Sequence, residues 1–302
     1  MNKITMELTR QSKAAREDKM GKLITSVSIF IIMAVVLSMI YMITARGMAT
    51  FFQNKQSLWD FLTKTIWNPT NKPYPQIGAL PMIIGSFSVT IFSALLAAPF
   101  AIATAVFMTE ITNKKGQKLL QPVIELLVGI PSVVYGFIGL TVIVPFVRKV
   151  FGGTGFGILA GSIVLFVMVL PTVTSIYVDS LKSVPNHYRQ ASLALGATRF
   201  QTIYKVIIRA SIPGLLTAII FGMARAFGEA LAVQMVIGNA ILMPENLVSP
   251  VATLTSVLTM GMGNTVLGTL PNNALWTLAL VLLVMSLVFN LLTKYIGKKG
   301  AF

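Results

Sequence analysis

The chain has 302 residues, of which 55% are apolar and only 11% charged, and its mean hydropathy is +0.80. Soluble domains carry about a quarter charged residues and disordered chains are poor in apolar ones, so both classes are excluded. The chain has no cysteine and one histidine, His187, which leaves no thiolate or histidine metal site; 24 basic against 9 acidic residues give a net charge of +15.

The first 22 residues carry six cations, Lys3, Arg10, Lys13, Arg16, Lys19 and Lys22. The apolar run that follows, 23–45, is too long for a signal-peptide core and lacks a small-residue cleavage site, so it is expected to remain as a span. Further runs at 78–108, 122–147, 157–178, 213–237 and 273–294 each offer the ~20 apolar residues that cross a ~30 Å hydrocarbon layer. The second exceeds what one span requires, and Pro81 and Pro99 within it predict a kinked or tilted helix. The alternating ~10-residue strands of an outer-membrane barrel are absent. The pattern therefore predicts an all-α polytopic membrane protein with six transmembrane helices. Its parts are a basic cytoplasmic segment 1–22, a first span 23–45, an extracytoplasmic loop 46–77, a core 78–294 with five spans, and a cytoplasmic tail 295–302.

Charge placement sets the orientation. With the N-terminus inside, 109–121, 179–212 and 295–302 are cytoplasmic too, and with Lys294 the inside segments hold 17 Lys and Arg. The outside loops 46–77, 148–156 and 238–272 hold 6, and the one remaining cation, Arg225, lies inside a span. This positive-inside split accounts for the high pI without a nucleic-acid partner. The longest cytoplasmic loop, 179–212, is too short for an independent core. No GxxxxGK[ST] sequence occurs, so energy from ATP has to come through a partner. Gly153-Thr-Gly155-Phe-Gly157 resembles part of a dinucleotide fingerprint but follows no strand and reads as a turn, while Gly157 and Gly161 read as helix packing.

Loop 179–212 is amphipathic. Pro185 and Asn186 can start a helix, and after Gly196 the residues Phe200, Ile203, Tyr204, Ile207 and Ile208 recur at helical spacing, so two short helices flank that glycine. Such a knob fits a groove on a partner protein; the alternative is a helix lying on the membrane surface, supported by Arg189, Arg199 and Lys205.

Arg225 falls near the middle of its span, where a charge costs ~2.5–3.5 kcal/mol on insertion scales. Glu229, four residues on, is expected on the same helix face as its partner. A buried ion pair is commonly no better for stability than an apolar pair. The two charges therefore mark either a packing salt bridge or a translocation path, where the planar guanidinium fork suits an oxyanion. Glu125 reads as a snorkelling carboxylate or a gating partner. Gly129, Pro131, Gly136 and Gly139 permit close packing or a broken helix lining a cavity. The scarcity of acid–base groups argues against a membrane enzyme, and only two deep charges argue against a channel or ion-coupled carrier.

Gln190-Ala191-Ser192, three residues, then Gly196 resembles the EAA loop of permease subunits of ABC importers, which in that family forms coupling helices seated in grooves of the ATPase dimer. Val206 and Ile208 stand at its later apolar positions. Gln190 replaces the family's Glu, removing the carboxylate a salt bridge to the ATPase would use, and Arg209 replaces its Pro. The run Glu125-Leu-Leu-Val-Gly129-Ile-Pro131-Ser132-Val-Val-Tyr135-Gly136 resembles the third-helix signature of phosphate-specific ABC importer permeases. Arg225-Ala-Phe-Gly-Glu229 and its continuation to Ile237-Gly238-Asn239 resemble their RALGE(T)xAVxxxIGN segment, with Ala230 where the family usually has Thr. These matches run over roughly 80–290. The resemblance implies a type I importer permease (MetI-like) fold, of PstC type, with Arg225 and Glu229 on the substrate path. It implies no catalytic or metal residue and no cofactor bound by this chain, ATP and Mg being used by a PstB-like ATPase dimer. A PstA-like second permease subunit and an extracytoplasmic phosphate-binding protein complete the expected complex, in a bacterial or archaeal inner membrane with both termini cytoplasmic. The alternatives are the PstA-type paralogue and a permease for another oxyanion such as molybdate or sulfate.

Overall fold

A computed structural model describes residues 13–71 and 73–299; Lys3 and Arg10 of the basic segment and residues 300–302 of the tail lie outside them. The chain divides into two compact units, residues 1–46 and 47–302. The first is a single helix over its described residues, the main part of α1 (Lys13–Phe52). Its polar start is stapled by Lys22 and Asp18 at 2.7 Å, one turn apart.

The second unit opens with a small outer layer: α2 (Leu58–Thr63), capped by Ser57, and the antiparallel pair β1 (Trp67–Asn68) and β2 (Gln76–Ile77). The long helix α3 (Leu80–Ile111) follows. Pro81 sits in its first turn, where the missing N–H costs no helical bond, whereas Pro99 lies in the interior. Gly85, Val89, Ser93, Ala97, Ala101 and Ala105 form a buried stripe at every fourth residue. These small side chains let α6 (Ile158–Ser183) come close, and Ser162 Oγ donates to the Val89 carbonyl at 3.4 Å across the contact. The α6 helix is the most enclosed span, which makes it the post around which the others pack.

The third span departs from the expected 122–147. Residues Lys114–Gly129 form a separate helix, α4, started by Asn113, whose side chain accepts from Gly116 N at 2.9 Å. The chain then turns extended at Ile130 and Pro131, as the residue before a proline prefers, and the spanning helix is α5 (Ser132–Phe151). Hydropathy merges the two because the apolar end of α4 runs straight into the apolar start of α5.

The short helix α7 (Asn186–Ala194) leads to α8 (Arg199–Ala210) and α9 (Ile212–Phe227), which meet at a 62° bend. Tyr177 Oη and Ser211 Oγ, 2.9 Å apart, tie that bend to α6. The expected fifth span, 213–237, is also interrupted: α9 ends at Phe227, and a short α10 (Leu231–Val236) follows a three-residue break. Helices α11 (Leu254–Met262) and α12 (Leu270–Lys299) close the chain. Among the described residues five helices are long and apolar enough to cross a membrane, and the bent pair α8–α9 makes six.

Candidate functional site

The deep cation stands at the end of α9. Its neighbour Phe227 is buried between Phe87 of α3 and Phe289 of α12, with ring centroids 5.2 and 5.5 Å away, which fixes the helix end. Arg225 Nη1 donates to Thr172 Oγ1, near the middle of the 26-residue α6, so the guanidinium lies at mid-span and is half-buried. The expected pairing with Glu229 does not form. A four-residue spacing brings side chains together only while the helix continues, and α9 stops before Glu229. Instead Glu229 Oε1 accepts from Ala232 N at 3.2 Å, holding the first turn of α10, and its carbonyl accepts from Thr255 Oγ1 at 2.9 Å. Glu229 lines a small cavity of mixed character, with Ser86, Thr90, Thr253 and Thr255 alongside Val89, Leu165 and Val233. The ion pairs among the described residues are Lys22–Asp18, Lys64–Asp60 and Arg189–Glu110, so the Arg225 charge meets no carboxylate.

The two motifs that flank the break touch each other. A Cβ on Gly136 would fall 2.9 Å from the Ala232 Cα and 2.8 Å from the Met235 sulfur, so only glycine lets α5 and α10 approach this closely. Tyr135 Oη reaches back over the Ile130–Pro131 break to the Leu127 carbonyl at 2.8 Å, and its hydroxyl lies within electrostatic range of Arg225. Pro131 and Ser132 form the start of α5. Glu125 is exposed on α4 and accepts from Gln121 Nε2 at 2.9 Å, while Gly129 ends α4 with open space where a side chain would go.

At the far end lies the knob. Gly196, with φ +83°, donates to the Leu193 carbonyl at 2.9 Å, and Ala197 N donates to the Ser192 carbonyl at 3.2 Å. This is a Schellman turn, which needs the left-handed conformation glycine adopts freely. A capping box between Thr198 and Gln201 then starts α8. Ser192 Oγ and Thr202 Oγ1, 2.9 Å apart, clip the two helices together. Gln190 and Ala191 face solvent beside Leu195, 88% exposed, and Phe200, 74% exposed, so the knob presents apolar groups outward.

The inner side of α7 carries a contact that sequence reading missed. Arg189 donates from Nη2 to Glu110 Oε1 at 2.6 Å and from Nε to Oε2 at 3.2 Å, and from Nη1 to the Val184 carbonyl at 2.9 Å. Arg199 bonds the Glu110 carbonyl. Two of the three cations expected to hold a surface helix on lipid thus turn inward to the end of α3. A lone carboxylate at the end of the second span was the available signal; a partner 79 residues away has no sequence signature.

Membrane helices gathered around a mid-span cation, with an apolar knob at one end, define a transport subunit rather than a soluble binding module. Residues 97–300, well over half the chain, match the family described as binding-protein-dependent transport system inner membrane component, and the chain belongs to that family. It is 52% identical over 292 residues to the probable ABC transporter permease protein YqgH of Bacillus subtilis, covering 96% of this chain and 94% of that one. It is 30% identical over 257 residues to the phosphate transport system permease protein PstC of Mesorhizobium japonicum, covering 78% and 77%. In structure it resembles a chain of a bacterial ABC transporter that imports the acidic polysaccharide alginate, with a TM-score of 0.62 and 13% identity over 95% of this chain and 99% of that one. The fold is that of the MetI-like ABC importer permeases.

Proposed function

We propose that this chain is the PstC-type permease subunit of an ATP-driven importer of inorganic phosphate. The observation that carries the reading is the Arg225 guanidinium, held at mid-span by a neutral hydroxyl and left without a carboxylate. A bare cation in hydrocarbon is costly, and its remaining donors suit an oxyanion bound two at a time. The similarity to PstC supports phosphate as that anion.

In this reading an extracytoplasmic phosphate-binding protein delivers its ligand to the outer loops 46–77 and 238–272. The path runs between this chain and a PstA-like partner, with Arg225 presented to it. Glu229 acts by shaping α10 behind Arg225, not by neutralising it. A PstB-like ATPase dimer, which uses ATP and Mg, engages the knob around Gln190, Ala191, Ser192 and Gly196 and moves it on ATP binding. Both termini are cytoplasmic. The test is uptake of radiolabelled phosphate by vesicles holding the reconstituted complex, with and without ATP. ATP-dependent uptake that unlabelled phosphate competes for, and that molybdate and sulfate do not, supports the reading. Uptake competed equally by molybdate or sulfate, or uptake without ATP, overturns it.

A further inference from the structure

A groove of about 460 Å³ between α4 and the ends of α3 and α6 serves no step of the transport reading. Its floor is apolar, formed by Met108, Pro122 and Val178, and its rim carries Lys118 and Lys182. Gln117 Nε2 donates to the Met108 carbonyl at 2.7 Å and ties α4 to α3, so the groove is held open by a fixed wall. Both lysines are exposed and neither enters an ion pair, although Asp179 lies three residues before Lys182. The nearby carboxylate on α4, Glu125, is engaged by Gln121.

The height of the groove matters. Met108 is in the last turn of the span Leu80–Ile111 and Lys182 in the last turn of Ile158–Ser183, so the opening lies where hydrocarbon gives way to headgroups. On the other side of α4, Leu119, Val123 and Leu126 are exposed at i, i+4 and i+7, the apolar face of a helix lying in the interface.

We infer that this groove seats the phosphate headgroup of an anionic phospholipid, bridged by Lys118 and Lys182, with the first acyl methylenes over Met108, Pro122 and Val178. Basic pockets between helices at a membrane surface recognise such headgroups. Free phosphate has the same oxygens, but it would lose hydration against the floor and gain no donor there, whereas a lipid buries methylenes. The site is independent of the transported substrate.

The test counts phospholipid retained by the complex purified in mild detergent, by native mass spectrometry, after loading with phosphatidylglycerol. The variant Lys118→Gln/Lys182→Gln retains about 25-fold less, each lysine contributing roughly fivefold. Lys118→Arg/Lys182→Arg and Lys115→Gln, a cation of α4 that does not line the groove, retain the wild-type amount. Equal retention by the glutamine variant overturns the site. So does radiolabelled orthophosphate binding to the delipidated complex that the glutamine variant abolishes, since the groove would then hold a free anion. Should the double variant not assemble, Lys182→Gln alone is read by the same measure, with a loss of about fivefold. Retention is scored without any flux, so its failure leaves the importer reading standing, and a failed uptake assay leaves the lipid site standing.

Discussion

Arg189 of the knob grips Glu110 at the end of α3 with two nitrogens, and the side chains are only 22% and 10% exposed. Enclosed this far, the pair is no surface bridge, and removing one partner strands a charge at a cost on the order of 2–4 kcal/mol. Because Arg189 also donates to the Val184 carbonyl at the end of α6, a pull on α7 reaches two spans directly. If the chain works as the proposed phosphate importer, Glu110→Gln should therefore loosen transmission: ATP hydrolysis by the complex continues while phosphate uptake falls about tenfold, a usual size for a coupling energy. The exchange Glu110→Arg with Arg189→Glu should recover part of the loss. Hydrolysis and uptake falling in parallel, or neither changing, would show the pair to be no link in the chain of motion.

Gly136 and Gly129 belong to the same signature run yet should respond oppositely to alanine. At Gly136 the new methyl meets the backbone of Ala232, which cannot swing aside, so Gly136→Ala forces α5 and α10 apart at about 1–3 kcal/mol. At Gly129 the methyl enters open space at a helix end, and Gly129→Ala is neutral or stabilising by up to about 1 kcal/mol. Thermal unfolding of the purified complex separates the two; equal shifts would mean the contact is slack.

These particulars show what the sequence could convey. Spans two, four and six were legible because each is one unbroken apolar run of sufficient length. The third was displaced because hydropathy sums apolar residues without sensing direction, so Leu126, Leu127 and Val128 of α4 were added to a span that starts after Pro131. Pro131 reads as a breaker and a broken helix is one of the two expectations there, but the sequence does not convey that the part before the break lies outside the spanning helix. The Gly196 turn was readable, since helical periodicity on both sides of a glycine leaves few conformations. Arg225 was legible as a misplaced charge, while its partner was not: spacing proposes Glu229, and Thr172 is brought in by packing 53 residues away.

Gly196 offers a test of the knob that involves no lost contact. Nothing lies within 4 Å of a Cβ added there, so the cost of Gly196→Ala is the left-handed backbone alone, about 1–2 kcal/mol. Gly196→Asn should cost less, because asparagine visits that region readily. Hydrogen exchange at the Ala197 amide, which the turn protects, should rise more for alanine than for asparagine, and uptake should fall in the same order. Identical exchange in the two variants would mean that backbone conformation does not set the stability of the turn.

Arg225 and Glu229 can be separated by their neutral substitutions. If the two paired, Arg225→Gln and Glu229→Gln would both leave an uncompensated charge at mid-membrane and would damage transport alike. In the observed arrangement Glu229 acts as an acceptor for the Ala232 amide, a task the glutamine oxygen performs as well. Glu229→Gln should thus keep uptake within about fivefold of wild type, the loss of a charged acceptor being worth of order 1 kcal/mol. Arg225→Gln should lower uptake on the order of 100-fold with assembly intact, since the two charge-assisted bonds of the proposed anion contact would be removed. Thr172→Val falls between: it keeps the charge but frees the guanidinium from α6, so uptake drops about tenfold and Arg225→Lys no longer differs from arginine by its fixed orientation. Uptake into reconstituted vesicles, normalised to complex content, ranks the four variants. Equal loss in the Arg225 and Glu229 variants would restore the ion pair as the working unit, and full activity in Arg225→Gln would remove the cation from the path.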